Sequence, residues 1–315
     1  MKKVVYVTGC LGFIGYYVAR ACLEQGWYVI GVDKMTYAAD QSLLVKLNEY
    51  GNSFKFLFSD INHLDRLYDC DYVINCAAES HVDNSIVSSR VFLESNVNGV
   101  HNLLELIKQK NRFRMPVLLH FSTDEVYGDI LEGSHIESDL LKPSNPYSAS
   151  KAAADMLVCA WARTYDLPYI IVRPTNNYGI GQYVEKLIPK SCKHLVLGKK
   201  IDIHARGQPY RTWLHVSDTA QAVIHIIKAG VQNEIYNING NHECANIEVI
   251  RKIIQLHGLP IDDIEQYLYH VERPGHNQRY ALDDTKLQQL GWQAQADFDK
   301  ELANIVKHNQ QTFVW

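Results

Sequence analysis

The stretch Val4-Val5-Tyr6-Val7-Thr8-Gly9-Cys10-Leu11-Gly12-Phe13-Ile14-Gly15 decides the fold of this chain. Its apolar start predicts a buried strand, and three glycines, Gly9, Gly12 and Gly15, then open a helix that extends to about Gly26. Glycines at this spacing allow a tight turn, close approach of a pyrophosphate and packing of the helix on the strand, while the helix N-terminus supplies N–H groups. The stretch predicts a dinucleotide-binding unit; a glycine-rich turn that only packs is the alternative.

An acidic residue ends the second predicted strand. Residues 27–32 form an apolar run, and Asp33 follows the glycines by about 20 residues. A carboxylate at this position accepts hydrogen bonds from an adenosine ribose and repels a 2′-phosphate, which favours NAD over NADP. The cofactor predicted from these residues is NAD, with a helix N-cap as the alternative role for Asp33.

The next strands are predicted to end at the same edge of a sheet. Their apolar runs are residues 54–58, 72–76 and 117–121. Asp60 and Ile61 follow the first run, where adenine recognition is expected, and Ala77 and Ala78 follow the second, near the diphosphate. The third run brings Ser122 to the carboxyl edge, where doubly wound sheets bind their ligands.

The alternation of strands and helices loosens in the second half of the chain. Residues 169–172 predict another strand, and residues 221–227 predict a helix that packs back on the sheet. The predicted fold class is α/β: a Rossmann-type doubly wound parallel sheet with a smaller, interleaved C-terminal substrate-binding domain. We expect an NAD-binding domain in residues 1–175 with a returning segment near 213–235, and a mainly substrate-binding domain in residues 176–315.

Composition narrows the class of protein and its partners. The 315 residues carry a formal net charge of -4, which leaves no broad basic surface for a nucleic-acid backbone. The seven cysteines are scattered without a C-x-x-C, which favours reduced thiols over a disulfide framework or a zinc site. No apolar run approaches the roughly 20 residues that span a bilayer. We expect a cytoplasmic protein with no metal, no nucleic-acid partner and no membrane partner.

A second stretch, Ser122-Thr123-Asp124-Glu125-Val126-Tyr127-Gly128, carries candidate chemistry, together with Tyr147 and Lys151 further on. Tyr147 and Lys151 are spaced i, i+4, so on a helix their Cβ atoms lie about 5–6 Å apart on one face. An ammonium group there lowers the pKa of the phenol and can also bind a cofactor ribose, which makes Tyr147 a usable base. A solvated helix face is the alternative.

Asp124 and Glu125 need a separate explanation, because oxidation of an alcohol at Tyr147 requires no further carboxylates. Two carboxyl groups beside a nicotinamide suit an additional acid/base step, in which one gives and the other takes a proton. Loss of water next to a transient ketone is such a step. The alternative is that both residues cap the turn after the strand.

The chain resembles a known family at these residues and along nearly its whole length. Stretches 122–128 and 147–151 are similar to those of the nucleotide-sugar 4,6-dehydratases of the extended short-chain dehydrogenase/reductase superfamily, most closely the dTDP-glucose 4,6-dehydratases. Further similar stretches are Asp33-Lys34-Met35-Thr36-Tyr37-Ala38, Ala77-Ala78-Glu79-Ser80-His81-Val82-Asp83, Asn176-Asn177-Tyr178-Gly179, Glu185-Lys186-Leu187-Ile188-Pro189 and Arg273-Pro274-Gly275-His276-Asn277-x-Arg279-Tyr280. Asp124 is the residue that best distinguishes this family from related ones, because related decarboxylases and GDP-mannose dehydratases commonly carry Ser at that position.

The resemblance implies a reaction cycle. Tyr147, helped by Thr123, removes the C4 hydroxyl proton while hydride passes to NAD, and the new ketone acidifies the C5 hydrogen. Glu125 takes the C5 proton, and Asp124 protonates the departing C6 hydroxyl. Hydride returns to C6 and a proton to C5, so an NDP-glucose (dTDP- or UDP-glucose) becomes the NDP-4-keto-6-deoxyglucose. The implied enzyme is a hydro-lyase whose catalytic residues are Thr123, Asp124, Glu125, Tyr147 and Lys151.

The predicted binding residues form two sets. Those expected to bind NAD are Gly9, Gly12, Phe13, Ile14, Gly15, Asp33, Lys34, Thr36, Asp60, Ile61, Ala77, Ala78, Tyr147 and Lys151. Those expected to bind the nucleotide sugar are Ser80, His81, Thr123, Asn176, Asn177, Glu185, Lys186, Leu187, Arg211, Arg273 and His276. By resemblance, the diphosphate contacts are Asn176, Lys186, Arg211 and Arg273, and Asn177 lies near the sugar. Guanidinium groups match phosphate oxygens, with surface charge as the alternative for both arginines.

The chain departs from the family pattern at the predicted rim of the site. Ile180-Gly181 stands where the family usually has Pro-Tyr, and residues 202–207 replace a Pro-x-Tyr-Gly-Asp-Gly run. Thr212 and Asn277 replace two common aspartates. Because the catalytic set is unchanged, these departures bear on the identity of the nucleotide and sugar rather than on the reaction.

Other functions stay open from the sequence. One is an NDP-sugar epimerase or a 4,6-dehydratase of an N-acetylated NDP-sugar, and another is a non-enzymatic NAD-sensing binding protein. The intact catalytic set argues against the second. The resemblance also implies a homodimer formed through two helices per subunit, near residues 96–110 and 147–165.

Overall fold

Twelve strands are present in the computed structural model, which describes residues 2–275 and 277–312. In chain order they are β1 Val4–Thr8, β2 Tyr28–Asp33, β3 Phe54–Phe58, β4 Tyr72–Asn75, β5 Val117–Phe121, β6 Tyr169–Pro174, β7 Asn176–Tyr178, β8 Ile201–His204, β9 Tyr210–His215, β10 Glu234–Ile238, β11 His242–Ala245 and β12 Leu268–Val271. The α-helices are α1 Phe13–Glu24, α2 Gln41–Asn48, α3 Val82–Val87, α4 Arg90–Phe92, α5 Gly99–Lys108, α6 Pro146–Tyr165, α7 Leu187–Val196, α8 Val216–Ala229, α9 Asn246–Leu256, α10 Thr285–Gln289 and α11 Phe298–Gln311. A π-helical segment, Leu93–Asn98, joins α4 to α5.

Seven of these strands form one parallel sheet in the order β10-β6-β5-β4-β1-β2-β3. The winding direction reverses between β1 and β4. In doubly wound sheets, ligands bind outside the carboxyl ends of the strands at such a switch point. The predicted Rossmann-type fold is confirmed.

The turn after β1 explains why glycines are required at the switch point. Gly9 has a φ of +67°, and a Cβ there would lie 2.8 Å from the backbone nitrogen of Ala77, which follows β4. A Cβ on Gly15 would lie 2.0 Å from the Gly9 carbonyl oxygen. Helix α1 can therefore start close to the end of β1 only because these residues lack side chains.

Alternating residues of the strands supply two apolar cores, one on each face of the sheet. Val5 and Val7 of β1 pack with α1 and α8, whereas Tyr6 packs with α5 and α6 on the other face. All three side chains are 0% exposed. Burying an apolar side chain of this size contributes roughly 1.5–3 kcal/mol, so the two layers hold the carboxyl edge of the sheet in place.

The chain after β6 builds a second, smaller region. Strands β7, β9 and β11 form a three-stranded sheet, and β8 pairs with β12. Helices α7, α9 and α11 pack on them around Ile188, Trp213 and Ile253. Helix α8 and strand β10 return to the large sheet, so the two regions interleave in sequence, as expected for this fold class.

Some predicted elements have the same bounds in the structure, and others are longer there. The strands predicted at residues 54–58 and 117–121 are observed with those bounds. The helix predicted at residues 221–227 is part of the longer α8, and the strand predicted at residues 169–172 extends to Pro174. Across residues 2–275 and 277–312, none of the helices is both long enough and apolar enough to cross a bilayer.

Candidate active site

Two adjoining cavities lie at the carboxyl edge of the large sheet. Their volumes are about 100 Å³ and about 270 Å³, and both walls include Gly9, Gly12, Ala38, Cys76 and Ala78. Every residue predicted to bind NAD lines one of the two cavities. Within the part of the chain that the structure describes, no group of three or more His, Cys, Asp or Glu residues is arranged to hold a metal ion.

The smaller cavity contains the carboxylate predicted to select the cofactor. Asp33 is buried; its Oδ2 accepts a hydrogen bond from Leu11 N–H at 2.9 Å and its Oδ1 from Met35 N–H at 2.7 Å. Burial raises the pKa of Asp33, and the two N–H donors oppose that effect. The next helix, α2, is capped by Asp40, so the alternative N-cap role of Asp33 is wrong.

The turn after β5 is a short 3₁₀ helix, Asp124–Tyr127, whose N-cap is Thr123. Thr123 Oγ1 accepts a hydrogen bond from Glu125 N–H at 3.3 Å and donates to Asp124 Oδ1 at 3.0 Å. Thr123 and Tyr147 line the same cavity. Because a hydroxyl caps this turn, the alternative in which the two carboxyl groups serve as its caps is wrong.

The Asp124 carboxyl group is held in a form that can donate a proton. Its side chain is 3% exposed, and Oδ2 has no hydrogen-bond partner among the described residues. Burial, together with the neighbouring charge of Glu125, raises the pKa of Asp124 to about 7. A substantial fraction of this carboxyl group is therefore protonated at neutral pH, with one oxygen left for a ligand.

The surroundings of the Glu125 carboxyl group differ from those of Asp124. Its Oε2 accepts hydrogen bonds from Asn145 Nδ2 at 3.2 Å and from Tyr280 OH at 3.3 Å. The two adjacent carboxyl groups therefore have different contacts, an arrangement that suits an acid/base pair.

Tyr147 and Lys151 lie on α6, and both line the larger cavity. They are 8% and 3% exposed, so the alternative of a solvated helix face is wrong. The Lys151 ammonium donates to the carbonyl oxygen of Phe121 at 2.5 Å, and burial lowers its pKa to about 8. The pKa of Tyr147 is raised, first by burial and then by the charge of Glu125. The predicted lowering of the phenol pKa is therefore wrong in this structure.

Most residues predicted to bind the nucleotide sugar also meet in the larger cavity. Its wall includes Ser80, Thr123, Asn176, Asn177, Glu185 and Lys186. Lys186 Nζ donates to the Ser80 carbonyl oxygen at 2.8 Å, and burial lowers the pKa of Lys186. The predicted residues outside this wall are His81, Leu187, Arg211 and Arg273. His276 lies outside the described residues.

The two predicted arginines have different surroundings. Arg211 is 5% exposed and lies over the Tyr280 ring, 4.3 Å from its centroid, so surface charge is the wrong description of it. Burial lowers the pKa of Arg211. Arg273 Nη1 pairs with Asp83 Oδ1 at 3.3 Å, and His204 Nε2 lies 3.4 Å from Asp83 Oδ2. The hydrogen bond from His204, with the charge of Arg273, lowers the pKa of Asp83.

Asn177 lines the cavity, but its polar atoms hold the wall together. Its Nδ2 donates to the Thr175 carbonyl oxygen at 3.0 Å, and its Oδ1 accepts a hydrogen bond from Thr219 Oγ1 at 2.5 Å.

At the predicted rim, Ala205 and Arg206 have φ values of 45° and 54°, in the left-handed region that favours glycine. The departure at residues 202–207 therefore contains strained backbone, and none of these residues lines either of the two cavities.

Sequence reasoning missed Asn145 and Tyr280, the two residues that hold Glu125. Asn145 caps α6 and precedes Pro146 at the first helical position, a pattern that capping rules recognise. Tyr280 lies in a stretch marked by the family resemblance, but it is 155 residues from Glu125 in the chain. A local pattern could have identified the first residue and not the second.

Comparison with known proteins gives matches along nearly the whole chain. A family model described as GDP-mannose 4,6 dehydratase matches residues 6–305. The dTDP-glucose 4,6-dehydratase of Haemophilus influenzae is 40% identical over 96% of this chain and 96% of its own length. Among solved structures, DesIV, the dTDP-glucose 4,6-dehydratase of Streptomyces venezuelae with NAD and TYD bound, has a TM-score of 0.90 and 34% identity, covering 98% of this chain and 97% of that one.

A more distant structure shows the fold alone. The UDP-glucuronic acid 4-epimerase of Bacillus cereus has a TM-score of 0.87 at 22% identity, covering 97% of this chain and 99% of that one. The match to the family model over residues 6–305 and the 40% identical relative show family membership as well as a shared fold. This chain therefore belongs to the nucleotide-sugar 4,6-dehydratase family of the extended short-chain dehydrogenase/reductase superfamily.

Proposed function

We propose that this chain is an NAD-dependent NDP-glucose 4,6-dehydratase and that its substrate is dTDP-glucose. One observation carries the proposal: two adjacent carboxyl groups with different contacts, Asp124 and Glu125, share a cavity with Tyr147. Oxidation of an alcohol needs only the tyrosine, whereas loss of water needs one protonated and one ionised carboxyl group. Relatives named dTDP-glucose 4,6-dehydratase, 36–40% identical to this chain, support the same reaction.

The residues of the cleft fit NAD. The close approaches at Gly9 and Gly15 leave backbone at the start of α1 where a diphosphate would bind, and Asp33 would hold the adenosine ribose. Bound there, NAD supplies the hydride acceptor, and later the donor, for the two redox steps. The proposed cofactor region is residues 1–175 with α8 and β10, and residues 176–315 mainly bind the substrate.

Different residues of the protein then carry out the separate proton transfers. Tyr147, which shares the cavity with Thr123 and Lys151, takes the C4 hydroxyl proton as its phenolate, a form that the positive charge of bound NAD would favour over the neutral phenol, and the resulting ketone acidifies C5–H. Glu125 takes the C5 proton, and the electron pair forms the C5–C6 double bond as the C6–O bond breaks. The Oδ2 side of Asp124 gives its proton to the leaving hydroxyl, which departs as water, and Glu125 afterwards returns its proton to C5 when hydride is returned to C6. Burial of both Tyr147 and Asp124 keeps these transfers away from bulk water.

The remaining assignments are also proposals. UDP-glucose is the alternative nucleotide sugar, because the rim departs from the family pattern at residues 202–207, where the backbone is strained. We propose a homodimer that packs through α5 and α6, since Leu93 and Met156, which flank or lie on these helices, are both 51% exposed. The seven free cysteines support a cytoplasmic location.

A turnover panel with dTDP-, UDP- and GDP-glucose tests the function. We expect the purified protein with NAD to convert dTDP-glucose fastest, giving a 4-keto product identified by NMR, with no stoichiometric release of NADH. Conversion of UDP-glucose at a higher kcat/KM would reassign the nucleotide. Inversion at C4 without loss of water would replace the dehydratase by an epimerase, and NAD binding without turnover would favour a sensing role.

Replacing Asp33 with asparagine should relax the choice between NAD and NADP. The change removes the charge that repels a 2′-phosphate and keeps one acceptor oxygen for the Leu11 or Met35 N–H. We expect the ratio of the two dissociation constants to shift toward NADP by roughly tenfold, which corresponds to about 1.4 kcal/mol. Fluorescence titration with both cofactors measures this ratio. An unchanged ratio would show that Asp33 does not determine the choice between NAD and NADP.

A further inference from the structure

Both described donors to the Glu125 side chain reach the same oxygen. Asn145 Nδ2 and Tyr280 OH donate to Oε2 at 3.2 and 3.3 Å. Glu125 also lines the larger cavity beside Asp124 and Tyr147. Two hydrogen bonds to one carboxylate oxygen fix the plane of the carboxylate and the position of its other oxygen. This orientation matters for proton transfer, because the base must approach the C–H bond at a defined angle.

Tyr280 is itself held rigidly. Its side chain is 4% exposed, and its ring lies against the Arg211 guanidinium with 4.3 Å to the ring centroid. Arg211 is in turn fixed by hydrogen bonds to the carbonyl oxygens of Tyr210 at 2.6 Å and Asn277 at 3.0 Å. Burial, and then the charge of Glu125, raises the pKa of Tyr280, so the phenol stays protonated and remains a donor.

Asn145 ties the same carboxylate to the helix of the redox tyrosine. Its Oδ1 accepts a hydrogen bond from Ser148 N–H at 2.9 Å at the start of α6, and its own N–H donates to Ser148 Oγ at 3.2 Å. This reciprocal cap fixes the orientation of the Asn145 amide, so Nδ2 points to Glu125. Tyr147 lies two residues further on the same helix.

We propose that Tyr280, together with Asn145, is a positioning residue that aligns Glu125 for removal of the C5 proton. This inference rests on the proposed dehydratase function. Tyr280 does not exchange a proton with the sugar; it orients the carboxylate that does. Its contribution therefore falls on the elimination of water and leaves the earlier oxidation at C4 unaffected, since that step uses Tyr147.

The variant Tyr280→Phe tests the proposal, because it keeps the ring against Arg211 and removes only the hydroxyl. We expect C5 deprotonation to slow roughly 10- to 100-fold, the size of effect that misalignment of a reacting group produces. In a single turnover of dTDP-glucose with stoichiometric enzyme, NADH absorbance should rise at a rate within about twofold of wild type and then decay more slowly by the factor above. Incorporation of solvent deuterium at C5 should slow by the same factor.

Two further variants separate positioning from damage to the fold. Tyr236→Phe removes another buried hydroxyl, one that accepts a hydrogen bond from Val231 N–H, and should leave both phases unchanged. Asn145→Ser keeps an acceptor for Ser148 N–H at the start of α6 and removes the donor to Glu125 without adding a charge, so it should slow the second phase as Tyr280→Phe does. Slowing of both phases, or of neither, in Tyr280→Phe overturns the inference. Failure of the wild-type protein to turn over dTDP-glucose is instead a failure of the proposed function.

Discussion

Replacing Asp124 with asparagine should slow the elimination of water by about 10²–10⁴-fold, the usual contribution of a general acid, while C4 oxidation stays close to the wild-type rate. The amide matches the carboxyl group in shape but has no proton of comparable acidity to give to the leaving hydroxyl. Because the pKa of Asp124 is raised to about 7, the wild-type elimination step should also fall as the pH rises above about 7. Stopped-flow NADH absorbance separates the two steps, and equal slowing of both would remove Asp124 from its role as acid.

The same substitution should make the folded protein more stable at alkaline pH. An aspartic acid whose pKa is raised from its ordinary value of 3.8 to about 7 binds more protons in the folded than in the unfolded state between those two values. Wild-type stability therefore falls as pH rises through this window, and an uncharged asparagine avoids that loss. Thermal unfolding at pH 5 and pH 8 should show a larger gain for Asp124→Asn at pH 8. An equal gain at both values would contradict the assignment.

Local sequence pattern predicted the parts of the site that follow directly from strand ends. The strand at residues 117–121 has the expected bounds, and the carboxyl groups that follow it line the expected cavity. The glycines after β1 are likewise required by the approach of Gly9 to Ala77. These features depend on a few consecutive residues and on the parallel arrangement of neighbouring strands, both of which a sequence records.

The protonation states could not be predicted in the same way. Spacing places Lys151 one turn from Tyr147, but it does not show that the ammonium donates to Phe121 O or that burial and the charge of Glu125 raise the pKa of Tyr147. Nor does it show that Tyr280 reaches Glu125. Desolvation and contacts between distant segments depend on how the whole chain packs, and a single sequence carries no local record of them.

Beneath the turn that carries the carboxyl groups lies a buried ion pair. Arg173 and Asp155 are 1% and 0% exposed, and Arg173 Nε and Nη2 each lie 3.0 Å from Asp155 Oδ2. Arg173 Nη1 donates to Tyr127 OH at 2.7 Å, and Ser122 Oγ donates to Asp155 Oδ2 at 3.0 Å. Ser122 and Tyr127 flank the Thr123-Asp124-Glu125 sequence, so this pair joins the turn that carries the two carboxyl groups to β6 and α6.

Replacing Arg173 with methionine should destabilise the protein by about 3–5 kcal/mol, because it leaves the buried Asp155 charge without its partner. Asp155→Asn alone leaves the arginine unpaired and should also be costly. The double variant should lose less stability than the sum of the two single variants, since neither charge then remains buried alone. Urea unfolding measures all three. Strict additivity would show that the two side chains do not interact, and the position of Asp124 and Glu125 would then have to depend on Thr123, Asn145 and Tyr280 without the ion pair.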